Sequence, residues 1–220
     1  MADPATTPLV VDVISDVVCP WCFVGKRRLE QAIGMRPDRP VAVRWHPFQL
    51  DPTIPPEGMD RRAYMERKFG AGGRLAEIHA RLAAIGAEVG IDFAFEAIRR
   101  SPNTRDAHRL IRLAAIDGQQ GPVAEALFAA YFEQGLDIGD RAVIADIGER
   151  SGLDRTRVET VLAGEELVSE VEGEIRSAQE MGVQGVPFFI IAGRYAVSGA
   201  EAAETLAGAM DKAAEEIAAA

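Results

Sequence analysis

The chain contains two cysteines, both in the run Cys19-Pro20-Trp21-Cys22. A CxxC pair placed where a strand hands over to a helix is a redox signature. The unpaired N–H groups and positive dipole end of a helix amino terminus favour a thiolate there. Cys19, at or just before the first turn, is therefore expected to ionise below the ~8.5 of a free thiol. It is also expected to be exposed and to attack first. Pro20 suits the first turn because it has no N–H to leave unpaired. Cys22, one turn further on, is within disulfide reach and, being shielded, is expected to resolve the mixed disulfide. A stabilised thiolate at Cys19 is also a good leaving group, which pushes the pair toward oxidant behaviour.

Two other readings of the pair are weaker. Half a zinc site would need a second pair of ligands, and the chain offers only His46, His79 and His108 at scattered positions. No metal is therefore assigned. An inert structural disulfide does not suit a reducing compartment.

The elements that must hold this pair follow from the pattern. Leu9 to Ile14 reads as a buried strand, and the segment after Cys22 as a helix ended by Gly34 and Pro37. Val41 to Trp45 reads as a second strand. A Pro-rich connection follows, and then helical periodicity for about a hundred residues. Leu75, Ile78, Leu82, Ile85 and Val89 mark one face of a helix that Gly90 ends. Thr104 is placed as the cap of a helix through Asp117, and Asp154 as the cap of another. Leu167, Val171, Ile175, Ala178 and Met181 give one more helix. The apolar run after Pro187 is a strand, with Tyr195 to Val197 pairing back as a hairpin. Ser198 and Glu201 have capping-box spacing and open a last helix through Leu206, Met210 and Ile217. The fold class is α/β, strand-helix-strand, a helical block, then helix, hairpin and helix. Outside the block this is the thioredoxin order.

Val186-Pro187 stands at the start of the late strand, where proline is tolerated. By spacing alone Pro187 reads as an ordinary trans turn proline. Together with the CxxC and the element order, a cis bond becomes the expectation, leaving the backbone groups of Val186 free to pair with an extended substrate. Trp21 and Phe48 are placed as an apolar platform for substrate, and Trp45 in the core. Asp16 lies close enough in sequence to raise the pKa of Cys19 or carry the proton of Cys22, or else it caps a loop. His108 has a proton-handling role or a satisfied structural one. Asn103 shapes the turn before Thr104. Asp12 reads as a hydrogen-bonded strand carboxylate, and His46 has no assigned role.

The 220 residues are 48% hydrophobic and 26% charged, an ordinary globular composition. Only the first seven residues and the Ala-rich end look disordered. The net charge of −10 disfavours nucleic acid and anionic membrane surfaces as partners. The opening Met-Ala-Asp-Pro-Ala-Thr-Thr has no basic n-region and no apolar stretch, so a cytoplasmic location is expected. The oligomeric state is left unassigned.

Asp12 through Gly25, around the CPWC, closely resembles the opening of the DsbA-like family, in particular its FrnE-type branch. Pro47-Phe48-Gln49-Leu50 with Pro55-Pro56-Glu57-Gly58, Pro102-Asn103-Thr104 through Leu110, and Gly182 through Phe189 with Ser198-Gly199-Ala200 resemble its later blocks. The resemblance implies a thioredoxin-like fold with an inserted all-helical domain, residues 59–165 interrupting 1–58 and 166–220. It implies protein disulfide oxidoreductase or isomerase activity at Cys19 and Cys22, with cis-Pro187 opposite them. Related 2-hydroxychromene-2-carboxylate isomerases and kappa-class glutathione transferases usually carry Ser in place of the first cysteine and lack the second. Keeping both argues for dithiol chemistry. Trp21 stands where secreted DsbA proteins commonly have His.

The expected activity is thus exchange with protein thiols and disulfides or with a small-molecule thiol. No cofactor is bound, the Cys19–Cys22 disulfide is the redox group, and glutathione is a candidate co-substrate. The competing readings are a glutathione-dependent small-molecule isomerase or transferase and a non-enzymatic binding module.

Overall fold

The computed structural model describes residues 8–70 and 73–219. The expected disorder of the first seven residues, and the leader reading made on them, lie outside the described residues. A four-stranded sheet has the order β2-β1-β5-β6. Strand β1 (Leu9–Ser15) pairs parallel with β2 (Val41–Pro47) and antiparallel with β5 (Phe188–Ile191), which forms a hairpin with β6 (Tyr195–Ser198). The parallel pair is joined by helix α1 (Pro20–Gly34), as a parallel connection requires. α1 packs against the last helix, α9 (Ala203–Ala218), whose Ala-rich turns are ordered helix and not a disordered tail.

Between β2 and β5 lies the helical block. It comprises α2 (Arg61–Phe69), α3 (Arg74–Glu88), a single 3-10 turn at Phe95–Ala97, α4 (Arg105–Ala114), α5 (Gln120–Phe132), α6 (Arg141–Arg150), α7 (Arg155–Ala163) and α8 (Val168–Glu180). A short two-stranded sheet, β3 (Met59–Asp60) with β4 (Arg100–Ser101), ties its start to its middle. The mixed α/β architecture with its helical insertion is the fold class expected.

Phe23 of α1 stacks on Phe128 of α5, ring centroids 5.1 Å apart and planes 7° apart. Phe93, Phe95 and Phe132 extend this cluster edge-to-face and stacked. Aromatic pairs of this kind each add about 0.5–1.5 kcal/mol beyond their buried area. The helix that begins at the CxxC is thereby fixed to the helical block as well as to the sheet. A smaller core of Ile14, Phe48, Ala178 and Val183 lies apart from the large one.

Several local expectations are corrected. Ser198 ends β6, and α9 starts at Ala203 with Ala202 before it and no side-chain cap, so there is no capping box with Glu201. Ile217 and Met181 are exposed, each beyond the stripe that its helix buries. α4 stops at Ala114. Its first turn is closed by Asn103, whose Oδ1 accepts the Arg105 N–H at 3.0 Å, while Thr104 makes no cap bond. Asp154 does cap α7, accepting the Arg157 N–H at 2.7 Å. Asp12 accepts both Arg44 donors, at 2.7 and 2.9 Å, and His46 bridges Asp12 and Glu174. Burial alone would raise the pKa of Asp12, but these cations hold it below the usual value. Glu174 foremost, and Asp12 after it, lift that of His46.

Candidate active site

β1 delivers the chain into the site. Cys19 caps α1 in extended conformation (φ −93°, ψ 113°), and its N–H donates to the Asp16 carbonyl at 2.9 Å. The Cys19 carbonyl accepts the Cys22 N–H at 3.0 Å, which closes the first turn with Pro20 inside it. Both cysteines are free thiols. Contrary to the exposure expected of it, Cys19 is only 4% exposed; Cys22 is 1% exposed.

Val186-Pro187 is a cis peptide. The Val186 carbonyl faces the pair and accepts from the Cys19 thiol at 3.5 Å, with a second lone pair left for another donor. Pro187 is buried against Gly25, where a Cβ would stand 2.8 Å from Pro187 Cγ and 3.2 Å from Phe189 Cζ. α1 can therefore approach the proline only with glycine at this position. Gly25→Ala is expected to lower stability by about 1–3 kcal/mol through overpacking, read as a fall in the urea midpoint. An unchanged midpoint would show that the α1–Pro187 contact is looser than this.

Burial, first, and then the neighbouring Cys19 sulfur push the Cys22 thiol well above the ordinary thiol range. The Ser15 hydroxyl and the Asp16 amide beside the sulfur favour its thiolate by lesser amounts. Ser15 Oγ is itself buried without a hydrogen-bond partner. Cys22 is therefore expected to resist alkylation until the pH is raised well past that range or the protein unfolds. Peptide mapping after iodoacetamide labelling at a series of pH values checks this, and facile labelling of Cys22 at neutral pH would contradict it.

Asp16 is buried, and its Oδ2 accepts the Leu50 N–H at 2.8 Å. Behind it, His108 Nε2 lies 2.9 Å from the Phe48 carbonyl and 3.3 Å from Asp16 Oδ1. A carbonyl only accepts, so Nε2 carries the proton. His108 backs Asp16 and does not line the cleft. Phe48 is corrected too, since its ring belongs to the small core with Ile14 and Val183 and forms no substrate platform. Trp45 is buried in the large core.

In front of Cys19 lies a cavity of about 460 Å³. Asp16, Cys19, Pro20, Trp21 and Val186 form its floor, and α2, α3 and Tyr131 its walls and roof. Sequence reasoning did not find Arg61, Tyr64, His79 or Tyr131 as lining residues. His79 stacks on Phe95 at 4.2 Å, and burial, then Arg61, lower its pKa. One signal was present, the apolar face of α3, but nothing in the pattern said that it faces a cavity. Among the described residues no three His, Cys, Asp or Glu side chains are grouped to hold a metal ion. No described helix is long and apolar enough to cross a membrane.

A sheet of this order, a helix starting at its cysteine pair, a cis-proline beside them and a helical insertion define a thioredoxin-like protein. The model of the DSBA-like thioredoxin domain matches residues 10–211, and the chain belongs to that family. The crystal structure of a probable DsbA oxidoreductase from Streptomyces coelicolor is 31% identical and superposes with a TM-score of 0.85, covering 93% of this chain and 89% of that one. A 2-hydroxychromene-2-carboxylate isomerase superposes at 0.73 with 18% identity, over 95% of this chain and 98% of that one, a likeness of fold alone. The uncharacterized protein YwbO of Bacillus subtilis (strain 168) is 26% identical over 186 residues, 82% of this chain and 86% of that protein.

Proposed function

We propose that Cys19 and Cys22 form a dithiol–disulfide couple that exchanges disulfides with substrates entering the cavity. The Cys19 thiolate attacks one sulfur of a substrate disulfide, forming a mixed disulfide and releasing one substrate thiolate. Cys22 then loses its proton and attacks Cys19 Sγ, releasing the second thiolate. The dithiol gives up two electrons, and the reverse sequence oxidises a substrate dithiol. The raised pKa of Cys22 makes its deprotonation the guarded step. Asp16, a buried residue of the cavity lining whose Oδ1 lies 3.3 Å from His108 Nε2, is proposed as the acceptor of that proton.

The single observation carrying this reading is Cys19 at the amino end of α1, one turn from a shielded thiol and against the Val186 carbonyl. Protein disulfides and low-molecular-weight disulfides, glutathione disulfide among them, both fall within it. The low exposure of Cys19 favours the smaller ones. The cavity in front of Cys19 also suits a second reading, a glutathione-dependent isomerase or transferase that needs one sulfur only. We place the protein in the cytoplasm, where such a pair is cycled by thiol pools.

A Cys22→Ser variant incubated with a disulfide should accumulate a stoichiometric adduct on Cys19, seen by intact mass, while wild type shows none and turns over. Absence of the adduct would overturn the proposal. Undiminished turnover by the variant would favour the second reading.

A further inference from the structure

The cavity wall has a composition that the dithiol chemistry alone does not require. α3 buries Leu82, but Leu75 and Ile78 of the same stripe are only half covered and line the cavity. Phe95 adds an aromatic surface beside them. An amphipathic stripe normally faces a core; most of this one does, with Leu82 in the core and Ile85 and Val89 against it, but Leu75 and Ile78 also border the cavity that holds Cys19.

The charges of the lining run against those of the chain. Arg61, Lys68 and Arg81 line the cavity, and among the described residues none has a carboxylate within 4.0 Å. The two lining carboxylates are already engaged. Asp16 accepts from Leu50, and Asp51 accepts from Thr53 at 3.0 Å and faces Arg67. Arg61 is the half-buried member of the three cations. One of its nitrogens donates to the Tyr131 hydroxyl at 3.2 Å, and its guanidinium lies 5.9 Å over that ring. Tyr131 is buried, and its hydroxyl donates onward to the Arg100 carbonyl at 3.2 Å. It therefore orients Arg61 without neutralising it. A guanidinium has five N–H donors, and those not spent on Tyr131 are available to an anion.

We infer that the cavity selects a small disulfide or thiol with an apolar, ring-sized body and an anionic group, and that Arg61 anchors the anion. The volume of about 460 Å³ is that of a small-molecule site, and the low exposure of Cys19 at its floor, 4%, favours such substrates over a loop of a folded protein. This inference rests on the dithiol reading above. In the reaction, Cys19 forms the mixed disulfide with one half of the substrate, the other half leaves as a thiolate, and Cys22 releases the first half by the step already given.

The test compares an anionic and a neutral aromatic disulfide, 5,5′-dithiobis(2-nitrobenzoate) and 2,2′-dithiodipyridine, with the reduced full-length protein. The ratio of their rate constants cancels changes in the reactivity of Cys19 itself. Arg61→Gln is expected to lower the anionic-to-neutral ratio about tenfold, the scale of one charge-assisted hydrogen bond in a partly screened site. Arg61→Lys should recover part of it. A measurement on wild type does not depend on the folding of any variant. 1-Naphthoate should slow the reaction with the neutral disulfide saturably, and acetate at equal ionic strength should not. An unchanged ratio in Arg61→Gln, or no protection by naphthoate, overturns this inference while leaving the dithiol chemistry intact. Failure of wild type to react with either disulfide overturns the dithiol reading itself.

Discussion

Replacing Cys19 with serine should reduce disulfide turnover on the order of 10³-fold or more, the scale of loss when a nucleophile acting as part of a unit is removed. A serine hydroxyl at the same helix terminus cannot form a disulfide, and it ionises far above the working pH. Cys22 cannot stand in. It is 1% exposed, it lies one turn inside α1, and burial together with its sulfur neighbour holds its proton in place. The fold should survive the change, since the serine side chain is smaller than the buried cysteine it replaces in the large core and its hydroxyl can also donate to the Val186 carbonyl. Turnover of an aromatic disulfide under a recycling reductant, with the urea midpoint as control, measures both effects. Substantial residual turnover by Cys19→Ser would mean that Cys22 is reachable and that the order of attack is wrong.

Arg109→Ala should cost about 3–5 kcal/mol of stability, as expected for removing one partner of a buried ionic network. Arg109 is 1% exposed on α4. Its Nε donates to the Glu166 carbonyl at 2.9 Å, one terminal nitrogen to Asp106 Oδ1 at 2.7 Å, and the other to the carbonyls of Val161 and Gly164. A single guanidinium thus closes the end of α7 and the segment leading to α8. Arg109→Lys should recover less than half, because one ammonium cannot reach acceptors in so many directions. Burial would raise the pKa of Asp106, but Arg109 and Arg141 hold it below the ordinary carboxylate value. A depressed native pKa contributes stability above the unfolded-state value, and that contribution is lost as the pH falls through the native one. Arg109→Ala should therefore also weaken the acid dependence of unfolding. Urea titrations at neutral and acidic pH measure both quantities. A loss under about 1 kcal/mol would show that the carbonyls find other donors.

The sequence carried more of the sheet and of the reactive pair than of the cavity around them. Val11 and Val13 alternate in a strand whose neighbours are decided by burial, and Pro187-Phe188-Phe189 announces the strand beside it. The CxxC is legible because its chemistry is local, depending on two spacings and a helix end. What depends on distant partners was not legible. α2, with the sequence RRAYMERKF, has no apolar stripe and buries only Tyr64, so periodicity could not reveal it. Its place at the cavity comes from tertiary packing, and with it came Arg61 and Tyr64 of the lining. Phe48 looks like a cleft residue from its nearness to the second strand, yet its ring turns to the small core while its carbonyl meets His108. Ser198 and Glu201 have the spacing of a cap, but Ser198 is held in the hairpin opposite Phe188. Pairing across the sheet overrode a local motif there.

Equilibrating the protein in a series of glutathione redox buffers, quenching with acid and counting free thiols by mass tests the dithiol claim most directly. One two-electron transition should join a state with both thiols free to one in which Cys19 and Cys22 are linked, reversible from either side. Thiols that stay free across the whole series, or that end as separate glutathione adducts without closing on each other, would contradict it.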